Sequence, residues 1–438
     1  MPRKRLFFGF RSGFSAVLSI CLSISIFQAL VRATPVAAQE QQQQEKVLYN
    51  FFNVGDAVNP VAGVISDAAG NLYGTSFYGG AYGNGMVYLL TPGTGGWQQT
   101  ILHSFNPNGI DGFGPTASLI FDSAGNLYGT TEFGGTGACT NGFGCGTAFE
   151  LSPANGGWTE TILHDFQGTD GWEVHAGLVM DSVGNLYGTT ANGGASSQGV
   201  VFELSPRDGG TWTETTVHNF TGGADGGVPW GSVILDAAGN VYGMTSEGGG
   251  TSAECKYGCG VVFELSPVAG GRWTGKLLHN FSTLTGDGRY PSAALTFDSA
   301  GNLYGTAGSG GGNGHFSAGI VFKLSRIGSG KWQEKILHNF NQTGADGVNP
   351  SGTLVFDAAG NLYGVTQSGG SGGHGTAFEL TPSGAGSWSE TILHNFSDNG
   401  ADGYFPSSAL IFDASGNLYG TTPGGGHFGL GTVFEIMR

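Results

Sequence analysis

Asp357-Ala358-Ala359-Gly360-Asn361-Leu362-Tyr363-Gly364 is one of seven copies of the block that decides the fold of this 438-residue chain. Its pentapeptide, Gly-Asn-Leu-Tyr-Gly with Val once for Leu, begins at Gly70, Gly125, Gly184, Gly239, Gly301, Gly360 and Gly416. The intervals are 55, 59, 55, 62, 59 and 56 residues, and an Asp stands three residues before each copy: Asp67, Asp122, Asp181, Asp236, Asp298, Asp357 and Asp413. A near-constant period of this size is the mark of a repeat architecture.

The residues around the block spell out the unit. Thr353 to Asp357 is a short β-rich run, and Asp357 to Asn361 is a tight turn in which Asp bonds the following backbone and Gly takes positive φ. Leu362 to Gln367 makes a second strand, Thr376 to Leu380 a third after a glycine-rich loop, and Thr391 to Phe396 a fourth after a turn closed by Trp388. We call these strands A to D. Leu354 and Phe356 point one way and Val355 the other, so both faces are apolar, as in sheets packed on two sides. Only the link from D to the next A, Ser397 to Ser408, is long enough to cross to another sheet. Four-stranded antiparallel units repeated radially make a β-propeller.

The count of strands closes the ring. There are seven A strands, seven turns and seven C strands, from Met86–Leu90 to Thr432–Ile436, but the seventh C strand is followed by no D strand before Arg438. The vacant strand is Val47-Leu48-Tyr49-Asn50-Phe51, at the other end. The expected fold is therefore all-β: a seven-bladed propeller over 47–438, closed by the N-terminal strand joining the last blade, which removes an exposed edge.

Residues 1–38 read as a signal peptide, with Arg3, Lys4, Arg5 and Arg11 before an apolar run from Phe14 to Leu30 and small residues at Ala37-Ala38; 39–46 is a short linker. Ser19, Ser23, Ser25 and Gln28 interrupt that run, which argues against a retained anchor, so no membrane span is expected after cleavage. Loss of the leader, with five basic and no acidic residues, leaves 11 Lys+Arg against 32 Asp+Glu and a formal charge of −21. Such a surface repels phosphate backbones, which excludes nucleic acid as a partner. Four cysteines remain, in two close pairs: Cys139 with Cys145 and Cys255 with Cys259. Without His or further Cys nearby to complete a metal set, an exported chain should join each pair in a disulfide.

The pattern Asp-x-x-Gly-Asn-Leu-Tyr-Gly-Thr-Thr, then Gly-Gly, Val-Phe-Glu-Leu-Ser-Pro, Trp and Ile-Leu-His-Asn-Phe, resembles the Gloeo/Verruco (GloVer) repeat of exported bacterial proteins across 47–438. The resemblance implies an extracytoplasmic bacterial repeat protein, periplasmic or released. C-terminal anchors vary in that family, and Ile436-Met437-Arg438 carries no sorting tail, so a released, monomeric protein is expected.

Residues repeated in every blade are first of all structural. His103, His164, His218, His279, His338 and His394 recur in strand D, the outermost strand, with Tyr49 at the closing position; spread around the rim, they should not meet one another. Glu150, Glu203, Glu264, Glu379 and Glu435 recur in strand C, but Leu89 and Lys323 replace them elsewhere, so they are no shared catalytic carboxylate. The D–A loops carry Asp56, Asp111, Asp170, Asp225, Asp287, Asp346 and Asp402, turn formers before all else. Ca²⁺ ligation at Asp111, Asp287, Asp346 and Asp402 is the sharper alternative, and no other cofactor is expected.

Departures from the repeat point to function. Six of eight tryptophans close C–D turns, leaving Trp172 and Trp230 in D–A loops beside Asp170, Glu173, Asp225, Tyr290, Tyr404 and Phe405. The B–C loops emerge on the same face and carry both cysteine pairs, Tyr78, Tyr82, Tyr257, His315, His374 and His427. Ordered loops on a rigid scaffold are where binding sites sit. The expected function is a secreted, non-catalytic propeller that binds an extracellular polysaccharide or protein on that face, through Trp172, Glu173, Trp230, Tyr290, Tyr404, Asp170 and Asp225. No catalytic residue is singled out. A carbohydrate-active lyase or hydrolase using acids such as Asp170 and Glu173, and a passive envelope protein, remain the competing classes.

Overall fold

A computed structural model describes residues 44–438 except 54, 140, 141, 285, 313–317, 329, 345 and 385. The leader 1–38, linker positions 39–43 and His315 lie outside the described residues. Gln42–Arg438 forms one compact unit, and its described residues contain strands and turns but no helix.

Seven antiparallel sheets follow the A–B–C–D order expected. In the second, Ile120–Phe121, Leu127–Thr131, Thr147–Ala154 and Gly157–Asp165 lie side by side. The last sheet combines Ile411–Phe412, Leu418–Thr422 and Thr432–Ile436 with Glu45–Asn50, whose Lys46 and Val47 pair with Glu435 and Phe434. This closing strand begins two residues earlier than the sequence pattern indicated. Strand A is also shorter than expected, only two paired residues in each blade, because the residues before it leave the sheet. Their carbonyls accept hydrogen bonds from strand B threonines of the preceding blade: Thr75 to Ala117, Thr130 to Ala176, Thr189 to Gly231, and Thr421 across the closing seam to Ala62 at 2.7 Å.

Each part of the repeated block has a physical task. Asp122 Oδ1 accepts from the backbone of Ala124 and Asn126, and Oδ2 accepts from the Asn126 amide and the Tyr128 hydroxyl. Burial alone would raise this carboxyl, but the hydrogen bonds outweigh it and hold Asp122 below the usual range. The first glycine, Gly125, sits at φ +85°, where side chains are disfavoured. The second, Gly129, leaves room for an aromatic: a Cβ there would lie 2.5 Å from Phe149 of strand C. That ring in turn meets Phe105 from the end of the preceding blade's strand D, centroids 5.3 Å apart and edge to face. The contact recurs at every seam: Phe166–Phe202, Phe220–Phe263, Phe281–Phe322, Phe340–Phe378, Phe396–Phe434, and Phe51–Tyr88 where the closing strand packs on the first blade.

The rim carries a polar counterpart. The strand D histidines do not meet one another, as expected, but each meets the D–A loop aspartate that follows it: His103 with Asp111 at 3.3 Å, His164 with Asp170 at 2.9 Å, His394 with Asp402 at 3.0 Å. The next blade's strand D adds a glutamate, Glu160 at 3.5 Å from His103, Glu334 from His279 and Glu390 from His338. Glu45 of the closing strand takes the same place beside His394 and Asp402. A Glu–His–Asp staple thus joins neighbouring blades, an arrangement the sequence reading missed. An imidazole among the donors also departs from the all-oxygen shell that Ca²⁺ takes.

Burial pushes Glu45 and Glu334 up to about 7 and raises Glu160 and Glu390 as well. Burial opposes the imidazolium, yet the flanking carboxylates win and raise His103, His279 and His338. Whichever member holds it, a junction binds more protons folded than unfolded above the ordinary glutamate value of 4.5. Stability contributed this way is fully present at low pH and is lost as pH rises through the folded values.

Two measurements check this architecture. Phe51→Ala removes a fully buried ring from the closing seam and should cost about 3–5 kcal/mol, whereas Phe52→Ala, 51% exposed, should leave the melting temperature nearly unchanged. Between pH 5 and 8 the melting temperature should fall, at about 1.4 kcal/mol per pH unit for each extra proton held. Glu334→Gln should flatten that slope by one junction's share; a melting temperature that rises with pH would contradict the assignment.

Candidate functional site

The D–A and B–C loops share one face. Five small ladders pair a D–A loop with the B–C loop of the blade that follows, such as Gly112–Phe113 with Phe133–Gly134 and Gly403–Tyr404 with Gly424–Gly425. Single bridges, Trp172 with Asn192 and Gly227 with Glu247, do so in the other two blades. Disulfides Cys139–Cys145 and Cys255–Cys259 staple two of the B–C loops.

The residue two positions before strand A's inner run takes a left-handed backbone in every blade: Asn59, Gly114, Glu173, Val228, Tyr290, Asn349 and Phe405, with φ between 55° and 66°. Such a value is a true outlier for Val228. The backbone explains it: the Val228 N–H donates to Gln198 O of one B–C loop, and its carbonyl accepts from Ser246 of the next. The strain holds blades together, and the side chains it displays vary freely.

Immediately after this position each blade turns inward, and the seven segments enclose a cavity of about 280 Å³ on the ring axis. Its outer tier is Val61, Thr116, His175, Trp230, Ser292, Ser351 and Ser407. Deeper tiers are small, for example Ala62, Ala117, Ala176 and Gly231, then Gly63, Ser118, Gly177 and Ser232. Small side chains are what seven strands meeting at one axis can accommodate. The exceptions are His175 and Trp230, whose rings stack 4.0 Å apart at a tilt of 32°.

Two acids complete this cluster. His175 Nδ1 lies 3.4 Å from Glu132 Oε2, and Glu173 accepts from the Asn192 amide at 2.5 Å. Burial pushes His175 down to about 4, so the imidazole is neutral near neutral pH. Burial, then the charge of Glu173, pushes Glu132 up to about 7. The His175–Glu132 contact is accordingly not a pair of full opposite charges. His175 Nε2 is buried with no hydrogen-bond partner among the described residues. The cluster offers a half-exposed indole, a neutral imidazole beneath it and two carboxyls, of which Glu132 is raised.

The residues singled out from sequence fall into separate places. Trp230 stacks on His175 at the axial mouth, and Glu173 bonds Asn192 and acts on Glu132, which lies beside His175. Trp172, next in sequence to Glu173, packs instead into the core with Cys145, Phe166 and Val174. Tyr290 leans on the second disulfide loop, its hydroxyl donating to Glu254 O at 2.7 Å. Tyr404 stacks loosely with His374 and Phe405 on another part of the face. Asp170 and Asp225 are drawn to the rim by His164 and His218, away from the mouth. Asp111, Asp287, Asp346 and Asp402 are rim residues too. Sequence reasoning missed His175 and Glu132. One signal was present: Val174-His175 stands where six other blades have Pro followed by a residue that is small or apolar.

No curated protein matches the chain. Among solved structures, a fungal alcohol oxidase of the AA5 family, determined with copper, aligns with a TM-score of 0.53 at 16% identity, over 90% of this chain and 76% of that one. A putative oxidoreductase (glucose dehydrogenase) from Thermus thermophilus aligns with a TM-score of 0.43 at 14% identity, over 90% of this chain and all of its own. The first likeness is one of fold alone. Residues 32–254 and 249–438 match the Gloeobacter/Verrucomicrobia repeat, and with seven blades built on that unit the chain belongs to this repeat family.

Proposed function

We propose that this chain is a secreted, non-catalytic propeller that binds an extracellular ligand, a glycan first and a protein second, at the axial mouth of its D–A/B–C face. The observation that carries the reading is the Trp230–His175 stack, with the indole 39% exposed at the edge of a cavity whose outer tier is otherwise Val61, Thr116 and three serines. An indole face beside carboxyl and amide acceptors suits a sugar ring, which presents C–H groups on one side and hydroxyls at its edge. A cavity of about 280 Å³ lies at the low end for small-molecule sites, so it matches one ring of a longer chain. Export is supported by the leader-like sequence at 1–38 and by the two disulfides, which persist in oxidising compartments.

A second reading has one specific observation in its favour. Glu132, pushed up to about 7 by burial and then by the charge of Glu173, is a raised carboxyl of the kind that serves as the general acid in carboxylate-pair hydrolases. Asp170, the other acid considered from sequence, sits on His164 and takes no part in it.

A glycan array followed by titration calorimetry on the best hit decides between these. Trp230→Ala should weaken binding by about 30-fold, the effect of losing a contact worth about 2 kcal/mol. Trp172→Ala should lower the melting temperature and leave affinity unchanged. Equal binding by wild type and Trp230→Ala would remove the proposed site. Sugar release that disappears in Glu132→Gln would replace binding with hydrolysis.

A further inference from the structure

The rim junction between the third and fourth blades lacks its third member. Where other blades carry Glu160, Glu214, Glu334, Glu390 or Glu45, and the first has Gln99, the fourth has Gly275. The gap is not required by the backbone: Gly275 has no left-handed φ, and a Cβ there would sit 3.4 Å from Leu265, an ordinary contact. In place of the missing side chain there is a cavity of about 430 Å³. His218 and Asp225 face it, 27% and 30% exposed, against 20% and 7% for His103 and Asp111 at a complete junction. Phe220, Phe263, Leu265 and Leu277 form its walls.

We propose that this notch binds a small organic carboxylic acid, whose carboxyl takes the place that glutamate holds at the other junctions while its alkyl chain lies on the apolar walls. The repeat itself specifies the ligand, since five blades fill the same space with a carboxyl on a short methylene stem. The charges set the pH dependence. Asp225 faces His218 at 3.3 Å, and Lys276 at the mouth is engaged 3.7 Å from Glu264. Without a glutamate, burial outweighs Asp225 and His218 is lowered, whereas burial is outweighed and His103, His279 and His338 are raised. An incoming carboxylate beside Asp225 must therefore bring a proton, resting on the ligand or on His218. Binding should tighten as pH falls. This site is independent of the axial mouth.

Titration of the full chain with butyrate, butylamine and butanol, followed by calorimetry and by the His218 imidazole resonances, tests the assignment. Butyrate should bind saturably at pH 5.5 and at least 5-fold more weakly at pH 8, shifting His218, and the amine and alcohol should not compete. Gly275→Glu should abolish butyrate binding and raise the melting temperature by completing the junction. The proposal is overturned if His218 is unmoved by butyrate, if the amine or alcohol binds as well, or if Gly275→Glu binds like wild type. Should that variant not fold, the wild-type His218 shift and the comparison of three ligands decide alone.

Discussion

The ring rests on aromatic contacts that reach across each seam, one ring from the end of a strand D set edge-on against the strand C ring of the next blade. A contact of this kind needs room, and a glycine in the middle of strand B gives it. Replacing Gly129 by any other residue would put an atom inside Phe149. The same pentapeptide that makes the turn therefore also shapes the socket. The buried seam continues outward into the Glu–His–Asp staples, so an interface that carries one is apolar inside and proton-dependent at its edge.

These two layers differ in how visible they are from sequence. The turn and the strand order follow from local chemistry, because each involves residues near one another in the chain, and the closing role of Val47 to Phe51 follows from counting strands. Both disulfides were legible for the same reason, each spanning one short loop. The staples were not. Glu160 and His103 are separated by a whole blade, and each alone looks like an exposed residue in an outer strand. The glutamate in strand D was passed over while the one in strand C was weighed, although it is strand C's Glu264, Glu379 and Glu435 that merely accept tyrosine hydroxyls.

The candidate binding residues show a related limit. Trp172 and Glu173 are adjacent, yet Trp172 packs against the core cluster around Phe166 whereas Glu173 bonds Asn192. Loop membership says which face a residue lies on, but the left-handed residue before each inward segment determines which side chain reaches the axis. Seven equivalent positions then become a set of choices: six keep a residue compatible with the repeat, or in one case an indole, and His175 breaks the pattern beside it. Both sites proposed above lie at exceptions to the repeat, His175 and Trp230 at the axis and Gly275 at the rim.

The seventh sheet draws its strands from residues 45–50 and 411–436, so more than 360 positions lie between partners such as Val47 and Phe434. Bringing such distant segments together carries the largest loop-closure cost in the molecule, and contacts of that range form slowly. Six blades can assemble from neighbouring chain while this one waits for both. By that logic the circle is sealed late, along the pairing of Glu45–Asn50 with Thr432–Ile436 that fastens it like a clasp.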